Sequence, residues 1–288
     1  MDMTNEAYGK PAPWPSLPAE KPDIRLIAVD LDDTLLTDEL VVTPRTKKAI
    51  QAAKDKGVVF TIATGRVFDS ALPYALELGV DVPLITFQGA MVVWPDGRIV
   101  SHRPMDHDVS LEVLDYLLAT GHHVTLYIGE ELYIEETSPA TDSYRKRIRI
   151  KFNIVPSLRL VLAACPDGAT KFVMMAEPDK VREMAAAVRE RFGDRLQAVT
   201  SRPDFLEISR ADTGKGVALA VMADSLGIAP DQVMAIGDSP NDADMIVYAG
   251  WGICMANGVE ELKEKARWIT ASNNEDGVAI AIEHLVLR

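Results

Sequence analysis

Short apolar runs that end in acids or glycines alternate with segments whose apolar residues recur every three or four positions. Ile24-Arg25-Leu26-Ile27-Ala28-Val29 is the first such run and stops at acids, which predicts a buried strand. Thr43-Pro44 opens a helix with a capping hydroxyl and a proline at its first position, and Gly57 closes it. Residues 58–63 read as a second buried strand. Phe68, Ala71, Leu72, Ala75 and Leu76 share one helical face that runs to Gly79, and 83–87 reads as a third strand. The rhythm returns late in the chain, with helices expected over 217–226, 242–248, 259–266 and 277–285 and strands over 233–236, 252–255 and 268–270. Strands separated by helices imply right-handed crossovers and a parallel sheet.

The middle of the chain has a different grammar. Residues 91–94 and 99–100 flank the turn Pro95-Asp96-Gly97-Arg98, and 124–128 and 132–135 flank Gly129-Glu130, so two hairpins are expected. Helices over 109–118 and 181–192 and strands over 172–175 and 205–208 complete an α+β insert with an antiparallel sheet. The resulting partition is a leader over 1–22, a core made of 23–90 and 208–288, and an insert over 91–207. The leader holds five of the chain's 17 prolines and reads as an extended segment, either a tail or a strap that wraps the domain through Trp14 and Leu17.

Composition narrows the partners. A hydrophobic fraction of 48% suits a folded globular chain of 288 residues, about two domains' worth. A net charge of −13 disfavours nucleic acid and anionic membranes, which need a basic footprint, but not an anionic substrate met by a few local cations. Two cysteines, Cys165 and Cys254, make no disulfide framework and fit a reducing cytoplasm. The uncharged stretch 245–259 is too short and glycine-rich to span a membrane, and the N-terminus lacks the basic start and apolar run of a secretory signal.

Four polar clusters stand at strand ends or helix mouths. Asp30-Leu31-Asp32-Asp33-Thr34 follows the first strand; i and i+2 of an extended segment point the same way, so Asp30 and Asp32 can reach one ligand while Leu31 turns inward. Thr64-Gly65-Arg66 follows the second strand, where a hydroxyl and backbone amides suit phosphate oxygens. Thr213-Gly214-Lys215-Gly216 opens a helix with a lysine between glycines. Gly237-Asp238-Ser239-Pro240-Asn241-Asp242 sets two more acids after the strand over 233–236, an oxygen-rich setting for a hard cation. Singly, these clusters also read as capping acids, a threonine cap, a chance Gly-Lys-Gly and an acidic turn. Together, at the carboxyl edge of one parallel sheet, they point to a ligand site.

In this order the four clusters resemble the motifs of the haloacid dehalogenase superfamily, and the mid-chain insert resembles the large cap of its Cof-type, class IIB phosphatases. The resemblance covers residues 24–288. It implies a Rossmann-like α/β core with an inserted α+β cap, and a Mg²⁺-dependent phosphatase acting on a small phosphorylated metabolite such as a sugar phosphate or phosphorylated cofactor. By position, it makes Asp30 the nucleophile and Asp32 the general acid/base, whose backbone carbonyl also meets Mg²⁺. Asp30 and Asp238 become metal carboxylates, with Asp242 behind them holding metal-bound water or Lys215. Thr64, Gly65, Lys215 and Asn241 become phosphate-side residues. Arg66 follows the second motif without an assigned contact. Members often read Asn-Gly-Ala after the third strand where this chain has Gln88-Gly89-Ala90, so Gln88 has no assigned role. A phosphomutase and a non-catalytic phospholigand-binding protein share this scaffold and stay as alternatives. A monomer or small homo-oligomer is expected.

Substrate selection is expected from the insert. Arg145, Arg147, Arg149 and Lys151 alternate there, reading as a solvated basic face or as substrate contacts. Lys171 opens a cap strand and reads either as a residue facing the site or, the favoured reading, as a surface lysine with an apolar stem. His122-His123 reads as a polar pair at a helix end, Met174, Met175 and Met222 as core filling, and Cys254 as an inert buried thiol.

Overall fold

The structure is a computed structural model that describes residues 21–137, 141–142 and 151–288. Trp14, Leu17, Arg145, Arg147 and Arg149 lie outside the described residues. The first half of the core runs β1 (Leu26–Val29), α1 (Pro44–Asp55), β2 (Val59–Ile62), α2 (Phe68–Glu77), β3 (Leu84–Thr86), β4 (Met91–Val93) and β5 (Ile99–His102). The insert runs α3 (His107–Leu118), β6 (His123–Ile128), β7 (Glu131–Ile134), β8 (Phe152–Ile154), α4 (Leu158–Ala163), β9 (Lys171–Met175), α5 (Pro178–Phe192), β10 (Leu196–Arg202) and β11 (Phe205–Arg210). The chain then returns through α6 (Lys215–Ser225), β12 (Val233–Gly237), α7 (Ala243–Tyr248), β13 (Trp251–Cys254), α8 (Glu260–Lys265), β14 (Trp268–Ile269) and α9 (Gly277–Ile282).

Five strands form a parallel sheet in the order β14-β13-β12-β1-β2. Both faces are covered: Ile27 and Val29 pack with Ile50, Ala53 and Ile282 on one side, and Leu26 and Ala28 with Leu219, Met222 and Met245 on the other. Burial on both faces is why these strands read as unbroken apolar runs. Thr43 caps α1 by accepting from the Thr46 N–H at 3.1 Å, as its sequence predicts.

The third expected core strand departs from this plan. Among the described residues β3 pairs with the parallel sheet through the single bridge between Ala63 and Ile85, and its main partner is β4, antiparallel, with Leu84 opposite Val93. The hairpin over 91–102 therefore extends β3 as a three-stranded sheet, order β3-β4-β5, and does not join the six-stranded sheet of the insert, order β10-β11-β9-β6-β7-β8. That second sheet has its own core, in which Leu114, Leu126, Phe172, Val188 and Leu206 meet. A separate apolar cluster joins the two parts: Val67, Phe87, Ala90 and Met91 pack against Tyr127, Val173 and Met175 of the insert. No helix among the described residues is long and apolar enough to cross a membrane.

Candidate active site

All five strands of the parallel sheet point their carboxyl ends the same way, so the loops after β1, β2 and β12 share one edge. Asp30 continues β1 in extended backbone, its N–H bonded to the Ile236 carbonyl at 3.0 Å, while Leu31 is buried. Asp33 then adopts φ +58, and the tight turn over 31–35 brings Thr34 back so that its hydroxyl donates to Asp238 Oδ1 at 2.9 Å. Lys215, at the start of α6 and fully buried, lies between two carboxylates: Nζ is 2.5 Å from Asp30 Oδ1 and 2.6 Å from Asp242 Oδ1. The other Asp242 oxygen accepts from the Asp238 and Ser239 N–H groups at 3.0 and 3.1 Å, which fixes the loop after β12. Oxygens of Asp30, Asp238 and Asp242 lie within 4.8 Å of one another.

This cluster carries three carboxylates and one ammonium. Burial raises the Asp30 carboxyl well above the ordinary range, Asp242, Asp238 and Asp32 add to the rise, and Lys215 opposes it. Burial and the neighbouring Asp242 push Asp238 up to about 7. Burial alone would lower Lys215, but Asp242 and Asp30 outweigh it and keep the ammonium charged. Such a cluster, oxygen-only and short of positive charge, suits a hard divalent cation.

Metal binding should therefore be linked to pH. The folded pKa values of Asp30 and Asp238 lie above the unfolded value of about 3.9, so their charged forms cost the metal-free fold stability as pH rises, for Asp238 through about 7. A divalent cation competes with those protons. Added Mg²⁺ is expected to raise the melting temperature more at about pH 8 than at about pH 6, and Asp238→Asn should shrink the gain. Equal gains at both values, or an undiminished gain in the variant, would speak against a cation in this cluster.

Asp32 lies beside the cluster, half-buried, and is held by Arg66: Nη2 and Nε donate to its two oxygens at 2.7 and 2.8 Å. This bidentate pair joins the loops after β1 and β2, a contact the sequence did not assign. Burial would lower the Arg66 pKa, but Asp32 outweighs it and raises the value. Thr64 is buried, and its Oγ1 accepts from the Arg66 N–H at 3.1 Å. Gly65 lies against Gln88, where a Cβ would stand 2.3 Å from Gln88 Nε2. Gln88 holds φ +56 and accepts from Asn241 Nδ2 at 3.0 Å, so the amide in place of the usual asparagine bridges the second and fourth clusters. Every residue singled out at the four clusters thus lies on this one edge.

Three further side chains shape the site. Thr34 stood inside the first cluster unremarked. Asp244 accepts from the Gly216 N–H at 2.7 Å and so holds the start of α6; its spacing of two from Asp242 was the available signal. Lys171 overturns the expectation of a surface lysine: it is 2% exposed, because its strand lies under the apolar cluster that joins insert and core. Its Nζ donates to Glu207 Oε2 at 2.8 Å and to the Gly65 carbonyl at 3.1 Å. Lys151 is exposed, in keeping with a solvated face. His123 opens β6 and does not end a helix. Met174, Met175 and Met222 are core residues, and burial pushes the Cys254 thiol up to about 12, as an inert thiol requires.

Comparison with known proteins agrees with this layout. A family model described as haloacid dehalogenase-like hydrolase matches residues 27–282. The 5-amino-6-(5-phospho-D-ribitylamino)uracil phosphatase YwtE of Bacillus subtilis is 31% identical over 286 residues, covering 91% of this chain and 98% of its own. A second Bacillus subtilis phosphatase of the same description, YcsE, is 32% identical over 278 residues, covering 94% and 100%. A solved haloacid dehalogenase-like hydrolase from B. subtilis superposes with a TM-score of 0.82 at 25% identity, over 91% of this chain and 100% of that one.

Proposed function

Since this chain belongs to the haloacid dehalogenase-like hydrolases and is a phosphatase of that family, we propose that it cleaves a small phosphomonoester through an aspartyl-phosphate on Asp30, with Mg²⁺ as its metal. The observation that carries this reading is the buried trio Asp30, Lys215 and Asp242 with Asp238 beside it. Asp30 and Asp238 would hold the cation with the Asp32 carbonyl, and Asp242 would stand behind them. Bound there, a divalent cation supplies the positive charge that lets an anionic phosphate approach an anionic carboxylate. The repulsion to be offset is about 4 kcal/mol per pair of unit charges at ~4 Å and an effective dielectric of ~20.

Asp30 attacks phosphorus in line, the bond to the leaving oxygen breaks, and the phosphoryl group resides on Asp30. Thr64, Lys215, Asn241 and the Gly65 amide hold its equatorial oxygens. Asp32 gives its proton to the leaving alkoxide and, as a carboxylate, takes one from the water that cleaves the acyl phosphate. Its pair with Arg66 favours the carboxylate, the form the second step needs. Proton delivery in the first step needs Arg66 released, and the incoming phosphate dianion competes for that guanidinium.

We divide the chain into a core over 23–90 and 208–288 and an insert over 91–207, in which the hairpin over 91–102 extends β3 of the core and the residues after it form the cap that selects the substrate. Two relatives named for a phosphoribitylamino-uracil make a phosphorylated polyol on a small heterocycle the first ester to try. Inorganic phosphate should be released from p-nitrophenyl phosphate with Mg²⁺ and not with EDTA; release unaffected by EDTA would contradict the metal. A panel of phosphorylated metabolites ranked by kcat/KM should single out one ester class, and an isomerised phosphate in place of free phosphate would mark a mutase.

A further inference from the structure

We propose that Lys171 is a positioning residue whose ammonium, carried on the cap, acts through the Gly65–Arg66 peptide to make the Thr64 hydroxyl a stronger donor to a bound phosphate. The inference rests on the reading of Thr64 as a phosphate ligand. An ammonium 2% exposed must be compensated, and Glu207 on the neighbouring strand β11 supplies the carboxylate at 2.8 Å. The faces of Tyr127 and Phe87, centred 5.0 and 5.7 Å away, add to that compensation. Glu207 and Tyr127 belong to the cap and would neutralise the charge wherever the cap stood. The bond from Nζ to the Gly65 carbonyl, 3.1 Å, is different: it crosses to the core and ends on the loop after β2.

That carbonyl and the Arg66 N–H belong to one conjugated amide plane. A cation on the oxygen draws charge from the nitrogen and strengthens the N–H as a donor. The N–H donates to Thr64 Oγ1 at 3.1 Å. A hydroxyl oxygen that accepts a hydrogen bond aims its own proton elsewhere and gives it more strongly. The Thr64 backbone N–H is committed to the Ile85 carbonyl at 2.8 Å, and the hydroxyl proton meets no acceptor among the described residues. The chain of donors thus runs from Lys171 through the peptide to Thr64 and ends at the phosphate side. It is complete only while the cap rests on the core, so it ties cap position to phosphate affinity.

The test reads inorganic phosphate binding to the Mg²⁺-loaded enzyme by titration calorimetry, beside kcat and KM on p-nitrophenyl phosphate. Lys171→Met should raise the phosphate Kd and the KM about 5- to 10-fold while kcat moves less than about 2-fold. Lys171→Met combined with Glu207→Gln should show the same rise. A return to parental values would mean that an unpaired Glu207 caused the loss, and would overturn the inference. In a Thr64→Val background, Lys171→Met should add less than about 2-fold, whereas a full further rise would break the relay. If Thr64→Val weakens phosphate and Lys171→Met does not, the inference alone fails. If Thr64→Val leaves the Kd unchanged, the assignment of Thr64 as a phosphate ligand fails and the inference with it.

Discussion

Asp30→Asn should lower phosphate release by about 10⁴-fold or more while leaving the fold intact. An amide of nearly the same shape cannot attack phosphorus or keep a negative charge towards a cation. Stability should not fall with activity. Lys215 keeps Asp242 at 2.6 Å, and the variant removes a carboxyl whose ionisation is opposed by burial and by three neighbouring acids. Without metal, the variant should melt at the parental temperature or above it, with the difference growing as rising pH ionises the parental Asp30, whose carboxyl is held well above the ordinary range. Phosphate release and a thermal melt on the same preparation check both halves. Turnover within about 10-fold of parental would remove Asp30 as nucleophile.

Lys215→Met should be the most damaging single change to stability. The ammonium is fully buried, and without it Asp30, Asp238 and Asp242 face each other with no internal counter-charge. Removing one partner of a buried ion pair costs about 3–5 kcal/mol, because the remaining charge stays desolvated. The loss has a signed pH dependence. With the ammonium gone, the raised carboxyl pKa values move higher still, so the penalty is full where the acids are ionised and shrinks as falling pH neutralises them. Denaturant melts at about pH 8 and about pH 5 should therefore show a larger deficit at the higher value. A deficit that is absent at the higher pH would mean that Lys215 does not hold this cluster together. Activity should fall with it, by about 10²–10³-fold, as for the loss of one charged donor to the transferring group.

These two residues lie 185 positions apart, yet each was legible in the sequence. An apolar run buried on both faces of a parallel sheet leaves no ambiguity of period, and acids placed at the end of such a run have one edge to occupy. The strands from Leu26 and Val233 and the clusters after them were readable for that reason. The cap was less so. Strand Leu196–Arg202 carries only small or polar residues between Leu196 and Val199, helix Leu158–Ala163 is six residues long, and strand Phe152–Ile154 has three. The first lacks a clear apolar alternation, and the other two are too short for a period to show. The hairpin over 91–102 was legible as a hairpin, but its partner was not, because alternation within two strands does not say which third strand they join. Lys171 was misread for a related reason. A lysine at the start of a strand looks the same whether its face meets water or another layer. The signal was that Val173 and Met175, two and four residues on, share that face and are apolar. The pairing of Arg66 with Asp32 had no local trace, since it depends on how two loops approach at the sheet edge.

The stereochemical course at phosphorus tests the central claim most directly. Each in-line displacement inverts the phosphorus centre, so attack by Asp30 followed by attack by water returns the starting configuration. A chiral, isotopically labelled thiophosphate ester hydrolysed by the Mg²⁺-loaded enzyme in labelled water should give thiophosphate with retained configuration. Inversion would mean a single direct attack by water, and Asp30 would not be the group that takes the phosphoryl.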